Sequence, residues 1–432
     1  MDIAKRKRIS EILESKTKLN TVSAWVHEKR DLGKLKFITL RDATGFLQMT
    51  LKTADEKIVK IFDSVSKESI ILSEGEIIEN KKAPNGKEFI PKEMEIISSA
   101  EAPLPIEFSG KIETSLDKRF DWRFIDLKNP KVMAVFLLEN HIIDYVEEYF
   151  KKNNYMRMFS SRIVGSPTEG GTEYFPILYF NKQAFLAQSP QFYKEAILSS
   201  GIDKIYDIGF VYRAEPHHTT RHVCEYVSID FEIAFIKSME DVMKEEENLL
   251  KFVMKKLKEN DEKIFKMFEM EIPEINEIPR ITLETAKEIV KKMGITPEEG
   301  DLTHDGESAL GKWVLEKYKS RFVFLTNFPW KEKPFYVMKE KNNSSASFDL
   351  LFDGLEITSG GQREHKFIER EKNCRERGLN PESFDHLRFF KFGMPPHGGM
   401  AIGLERITSK LLGLKNVKEA VLLPRDPDRL IP

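Results

Sequence analysis

Three stretches of the chain set arginines, carboxylates and a hydroxyl among apolar residues. In residues 209–232 an apolar run through Tyr212 ends in Arg213-Ala-Glu215. A polar loop with Arg221, His222 and Val223 follows, and a second run returns through Asp230 and Glu232. A guanidinium is a planar fork that matches a phosphate or a carboxylate, and Glu215 can accept from an exocyclic amine. In residues 347–364, Glu356 and Ser359 stand three apart, just before Gly360-Gly361. A carboxylate with a hydroxyl is a hard-oxygen set suited to Mg2+, with phosphates and water completing it. The glycines would let a ligand approach the backbone. In residues 398–406, glycines lead into a helical pattern with Arg406 near its start, which suits a triphosphate tail or an adenine face. Each stretch also has a plainer reading: a surface hairpin with a salt bridge, a strand with a glycine bulge, a loop-to-helix junction.

The elements that must hold these residues follow from periodicity. Residues 1–100 carry five short strand-like runs at 21–27, 35–40, 45–51, 69–78 and 88–97, with turn signals at Ala43-Thr-Gly45 and Pro84-Asn-Gly86. They predict a small closed β-barrel of the OB type, with a small β-sandwich as the alternative. Pro-punctuated residues 101–106 mark a boundary, and 101–128 read as a linker or hinge. Asn129-Pro130 opens a helix, an N-cap followed by a proline at the first helical position, and Asn153-Asn154 closes it. Ser238 with Asp241 opens a second long helix in capping-box style. Residues 261–320 read as a small helical insertion. Strand-like runs return at 322–327, 335–338 and 347–351, and 403–412 is a helical pattern. The expected class is α+β and multidomain.

Composition narrows the function. The 432 residues are 41% hydrophobic and 32% charged, as in a globular protein with a real core. The longest clean apolar run, 132–138, is far below the roughly 20 residues of a membrane span. No apolar segment follows the basic N-terminal residues, so no signal peptide is expected. Two cysteines, Cys224 and Cys374, exclude a disulfide scaffold and a four-cysteine zinc site and fit a reducing, cytoplasmic setting. The net charge of −2 is too neutral for a nucleic-acid coat protein, yet leaves room for local RNA-binding patches.

Taken together, the three stretches resemble motifs of the class II aminoacyl-tRNA synthetases. Arg213-Ala-Glu215 matches the motif 2 core. Gly403-Leu-Glu-Arg406, with Pro424-Arg-Asp426 after it, resembles the end of motif 3, and the helix at Pro130 stands where motif 1 does. Residues 1–100 then resemble the anticodon-binding OB domain of the aspartyl, asparaginyl and lysyl subclass, and 129–432 its catalytic domain, an antiparallel sheet with flanking helices. Gln188-Ser-Pro-Gln191-Phe-Tyr-Lys194 and Ile357-Thr-Ser-Gly-Gly-Gln-Arg363 resemble aspartyl enzymes of the archaeal and eukaryotic type, whereas asparaginyl enzymes tend to carry an acidic residue near the end of the first segment. Chemistry agrees, since an aspartate side chain calls for cations and an asparagine amide must also donate.

The resemblance implies ATP-dependent aspartyl-adenylate formation and transfer to tRNA, with Mg2+, in a homodimer. Arg213, Glu215 and Arg406 would be catalytic. Glu169, Gln191, Lys194, Arg213, Ser359 and Arg363 would bind aspartate, with Glu169 in a mobile loop on the α-ammonium. Arg213, Glu215, Arg221, His222, Val223, Glu356, Gly403, Leu404, Glu405 and Arg406 would bind ATP, and Glu356 and Ser359 the metal. Arg30, Phe37 and Gln48 would read the anticodon. His27 and Pro84 stand where enzymes restricted to tRNA(Asp) tend to hold Trp and Lys. They resemble non-discriminating forms that also charge tRNA(Asn), whose product an amidotransferase would convert. The alternatives are a tRNA(Asp)-specific aspartyl enzyme, an asparaginyl enzyme or an asparagine synthetase derived from one, and a silent RNA-binding paralogue.

Overall fold

The computed structural model describes all residues except 34, 53–54, 111, 167–173, 217 and 432. The chain folds as two units, Met1–Pro105 and Ile106–Pro432.

The first unit opens with α1 (Ile9–Glu14). Its strands are β1 (Leu19–Asp31), β2 (Leu35–Asp42), β3 (Gly45–Lys52), β4 (Ile70–Glu79) and β5 (Lys87–Ser98), with α2 (Glu56–Ser64) between β3 and β4. They close a barrel in the order β1-β2-β3-β5-β4. Alternation explains the closure. Val22, Ala24 and Val26 of β1, Ile38 and Leu40 of β2, and Leu47, Met49 and Leu51 of β3 fill the core, and the intervening residues point outward. The pattern along 56–65 is helical, and Ile58 and Phe62 bury α2 against the barrel. The β1–β2 register slips between Val26 and Glu28, which makes His27 the extra residue of a β-bulge.

The second unit begins with α3 (Leu116–Asp121), α4 (Arg123–Asp126) and α5 (Pro130–Lys152). Short strands β6 (Met156–Arg157), β7 (Ile163–Val164), β8 (Pro176–Tyr179) and β9 (Lys182–Leu186) follow, then α6 (Gln191–Leu198), β10 (Lys204–Tyr212) and β11 (Glu225–Ala234). Next are α7 (Met239–Asn260), α8 (Glu262–Phe268), β12 (Arg280–Thr282), α9 (Leu283–Lys292) and α10 (His304–Tyr318). The unit ends with β13 (Phe322–Thr326), β14 (Ser347–Phe352), β15 (Leu355–Arg363), α11 (Phe367–Glu376), β16 (His397–Gly403) and α12 (Leu404–Leu412). An eight-stranded sheet runs β12-β13-β14-β15-β16-β11-β10-β6, antiparallel except at its two outermost pairs. Leu138, Val146 and Phe150 of α5, Leu250 and Val253 of α7, and Ile407 and Leu411 of α12 share one core with Phe231, Leu350 and Met400 of the sheet. The long helices thus cover one face and leave the other for the site.

Three stretches differ from the sequence reading. Part of the expected linker, 101–128, packs into the second unit. Buried Arg123 donates to the carbonyls of Glu419, Val421 and Leu422 and pairs with Asp126, a long-range anchor that no local pattern reveals. Residues 261–320 hold three helices but also β12, which extends the sheet beside β13. Residues 335–338 form no strand. Val337 makes one isolated bridge to Arg363, and Tyr336 turns toward the site.

Candidate active site

Two adjoining cavities, of about 200 and 460 Å3, open on the free face of the sheet and share Arg213, Glu356, Ser359 and Ala401 as walls. The first draws Arg213, Glu215, Arg221, His222 and Val223 from the β10–β11 hairpin, Glu356 and Ser359 from β15, and Gly403, Glu405 and Arg406 from the β16–α12 junction. The three sequence stretches are therefore one place in space. Arg406 donates through Nη1 to the Glu356 carbonyl at 2.8 Å and lies 3.7 Å from its carboxylate. Arg221 pairs with Glu307 of α10 at 2.5 Å. Glu307 is pushed up to about 7, chiefly by burial. His222 Nδ1 lies 2.7 Å from Thr219 Oγ1. Burial and the nearby Arg406, Arg221 and Arg213 push its pKa down to about 4, so the ring is neutral at pH 7. Two assigned residues also anchor α12. Leu404 lies in the hydrophobic core, and the Glu405 carboxylate accepts from the Val227 backbone N–H at 2.9 and 3.2 Å, tying α12 to β11.

The second cavity holds Gln191, Lys194 and Arg363 beside Arg213 and Ser359. Lys194, 1% exposed, lies 3.0 Å from Asp230 and 3.1 Å from Glu232. Arg363 donates through Nε to Glu232 at 2.9 Å, and through Nη2 to Gln191 Oε1 and the Gly399 carbonyl. Burial opposes both cations, but the facing carboxylates outweigh it and hold each pKa above its ordinary value. Glu232 is held low in turn, burial opposing, by Arg363 and Lys194. Behind it, Glu195 accepts from Arg370 at 2.5 and 3.0 Å and from Gln191 Nε2 at 3.1 Å. This locks the Gln191 amide with its oxygen toward Arg363.

The carboxylates Asp230, Glu232 and Glu195 were given no role from sequence. A signal existed for two of them. In Ser228-Ile-Asp230-Phe-Glu232-Ile the polar residues alternate with core residues Ile229, Phe231 and Ile233, a two-residue period that puts every polar group on the cleft face. The glycines also serve strand packing. A Cβ on Gly360 would lie 2.5 Å from the Phe348 ring, and one on Gly399 2.3 Å from Glu232 Oε2. Both let strands pack closely, and Gly360 also lines the second cavity.

The oxygen donors suit a hard cation. Ser359 is the cross-strand partner of Asp349, and Glu356 lies two residues before the Thr358–Leu350 pair. Lys333 holds Asp349 at 2.6 and 2.8 Å, while burial, with Glu356 nearby, pushes that carboxyl up to about 6. The set is carboxylate and hydroxyl without sulfur or imidazole, which fits Mg2+ rather than zinc. Glu169 lies outside the described residues.

On the barrel, Arg30 pairs with Phe37 across β1–β2, Phe37 with Thr50 and Thr39 with Gln48 across β2–β3. Arg30, Phe37 and Gln48 therefore share the outward face. Gln48 lies 3.4 Å from Glu88, which accepts from Thr50 at 2.6 Å. His27 packs edge-on against Phe46 at 5.0 Å. Pro84 opens the turn whose Asn85 donates to the Phe46 carbonyl. His27 and the Pro84 turn thus meet around one residue.

The second unit is thus a mostly antiparallel sheet with an arginine-lined cleft, and the first a closed five-stranded barrel. Comparisons name the family. Residues 115–427 match the model "tRNA synthetases class II (D, K and N)", and residues 21–97 match "OB-fold nucleic acid binding domain". The chain is 44% identical to an aspartate–tRNA(Asp) ligase of Pyrococcus abyssi, covering 95% of each. It is 41% identical to an aspartate–tRNA(Asp/Asn) ligase of Aeropyrum pernix, covering 98% of this chain and 99% of that one. Asparaginyl-tRNA synthetase from Pyrococcus horikoshii, solved with asparaginyl-adenylate, superposes with a TM-score of 0.92 at 28% identity over 99% of both chains. The chain belongs to the class II tRNA synthetases of the D, K and N group.

Proposed function

We propose that the chain is an aspartate–tRNA ligase that charges both tRNA(Asp) and tRNA(Asn). The observation that carries the amino acid choice is the pair of buried cations, Lys194 and Arg363, in a cavity that shares Arg213 with the nucleotide cleft. Their carboxylate partners hold them rigid, so a side-chain carboxylate meets preorganised donors instead of mobile charge. Relatives named as aspartate ligases support the same choice.

In the first step the aspartate α-carboxylate forms a bond to the ATP α-phosphorus as the bond to the β-phosphate oxygen breaks, releasing pyrophosphate. Arg213 bridges the α-carboxylate and the α-phosphate. Glu215 accepts from the adenine amine, Arg406 covers the adenine and reaches the outer phosphates, and Arg221 with neutral His222 completes their binding. Glu169 holds the α-ammonium. Glu356 and Ser359 would hold Mg2+, which supplies charge neutralisation of the polyphosphate. In the second step a hydroxyl of the terminal tRNA adenosine attacks the aspartyl carbonyl and AMP leaves. Both steps rest on positioning and charge complementarity.

Residues 1–100 bind the anticodon through Phe37 stacking and the polar edges of Arg30 and Gln48, with His27 and Pro84 permitting both tRNAs. The working form is a homodimer in the cytoplasm. Met133 and Leu137 of α5 and Phe124 before it expose apolar surface of the kind a second copy covers. Among the described residues no helix is long and apolar enough to cross a membrane. An amidotransferase consumes the aspartyl-tRNA(Asn).

The deciding experiment is aminoacylation with radiolabelled aspartate on tRNA(Asp) and tRNA(Asn) transcripts. Charging of both is expected. Charging of tRNA(Asp) alone removes the dual-specificity reading, and charging with asparagine instead overturns the amino acid assignment.

A further inference from the structure

His27, the bulge residue of β1, is held by a second layer. Its Nδ1 lies 3.1 Å from Arg41 Nη1, and Arg41 in turn donates through Nη2 to Glu68 Oε2 at 2.8 Å. Arg41 and Glu68 are both buried, at 9% and 5% exposure. A guanidinium has donors only. The imidazole nitrogen facing Arg41 must therefore be the acceptor, and the proton of the neutral ring must sit on Nε2. The ring stays neutral at pH 7, since burial and Arg41 push its pKa below the ordinary value against the smaller pull of Glu68 and Glu28, with Lys67 adding to Arg41.

We infer that Arg41, anchored by Glu68, is a positioning residue for tRNA choice: it fixes His27 as a hydrogen-bond donor only. This rests on the proposed role of His27 at the anticodon. Aspartate and asparagine codons begin with G and A, so the anticodons differ in one pyrimidine, cytosine against uracil. At its 4-position cytosine presents a donor amine and uracil an acceptor oxygen, while both carry an acceptor at O2. A ring that only donates finds a partner on either base. The opposite tautomer would offer an acceptor that the cytosine amine satisfies and the uracil oxygen repels. Arg41 thus withholds the group that would select tRNA(Asp).

The test uses the full chain labelled with 15N-histidine, with the His27 signals identified by their loss in His27→Gln. A long-range 1H–15N spectrum at pH 7.5 should show the Nε2–H tautomer, and an Nδ1–H ring overturns the inference. Arg41→Met should release the tautomer and lower the ratio of kcat/KM for tRNA(Asn) over tRNA(Asp) by about five- to tenfold, the scale of one hydrogen bond. A ratio unmoved by that change overturns it. Because Arg41→Met strands a buried Glu68, Glu68→Gln provides a milder second variant, expected to shift the ratio the same way by about twofold. Aspartate-dependent ATP–pyrophosphate exchange requires no tRNA. Its absence in the parent chain sinks the proposed function while the spectrum still decides the tautomer. Its presence with an unmoved ratio sinks only this inference.

Discussion

In the barrel, the residues assigned to RNA lie on the outward face of strands whose inward residues build the core. In the cleft, three of the residues assigned to the amino acid, Gln191, Lys194 and Arg363, are buried and tied into one cluster through Glu232. Phe37 can be removed while Ile38 and Leu40 keep the barrel closed. Lys194 cannot be removed so simply, because Asp230 would be left in the interior without its cation and Glu232 with Arg363 alone. The contrast separates two ways of building recognition. A period-two strand divides folding and binding between its faces, whereas a buried charge cluster makes the same side chains serve both.

The sharpest way to break the contrast is Lys194→Met. Aspartate-dependent pyrophosphate exchange should fall by about a hundred- to a thousandfold as the substrate's side-chain carboxylate loses a buried cation. Stability should fall by about 3–5 kcal/mol, because a buried pair is broken from one side. Loss of activity with an unchanged melting temperature would mean that cleft residues are as separable as barrel ones. Arg213→Lys sharpens the boundary within the cleft. Arg213 is exposed, so its loss of bidentate geometry should lower exchange by about a hundredfold with little change in stability.

Phe37→Ala tests the barrel side. KM for tRNA should rise about tenfold, within the ~1–3 kcal/mol of one stacked base, while exchange without tRNA stays at the parent rate. Equal loss in both assays would remove Phe37 from RNA binding. A fourth test concerns stability alone, at Glu246 on α7 behind the sheet. Burial pushes its carboxyl up to about 8 from an ordinary 4.5, with Asp349 adding and Thr358 opposing. Between those values the folded chain keeps a proton that the unfolded chain has released, so stability must fall as pH rises from 4.5 to 8. Glu246→Gln should flatten that decline in thermal melts at pH 5, 6.5 and 8. A slope equal to that of the parent would show that Glu246 does not carry it.

The legible parts of the sequence share a physical cause. The five barrel strands announce themselves because one face is wet and the other dry. Helices α5 and α7 do so through the caps Asn129 and Ser238. The three reactive stretches converge as expected because each sits at the end of a strand or the start of a helix that periodicity can place. What escaped reading is long-range. Arg123 reaches carbonyls almost 300 positions away, β12 pairs with β13 from inside a helical stretch, and Glu195 meets Arg370 across 175 positions. The side chain of Leu404 sits in the core beside the cavity-lining Gly403 and Glu405, because a motif names adjacent residues together while a helix turns them to different faces.

The wall between the two cavities has a thermodynamic consequence. Arg213, Glu356 and Ser359 border both, so the two ligands proposed for them would meet the same side chains. Under the proposed assignment, filling one cavity immobilises Arg213 for its neighbour. Whatever factor ATP contributes to the affinity for aspartate, aspartate must return equally to ATP. The enzyme would then favour the fully loaded state over either half-loaded one, guarding the nucleotide against water until the attacking carboxylate is in place.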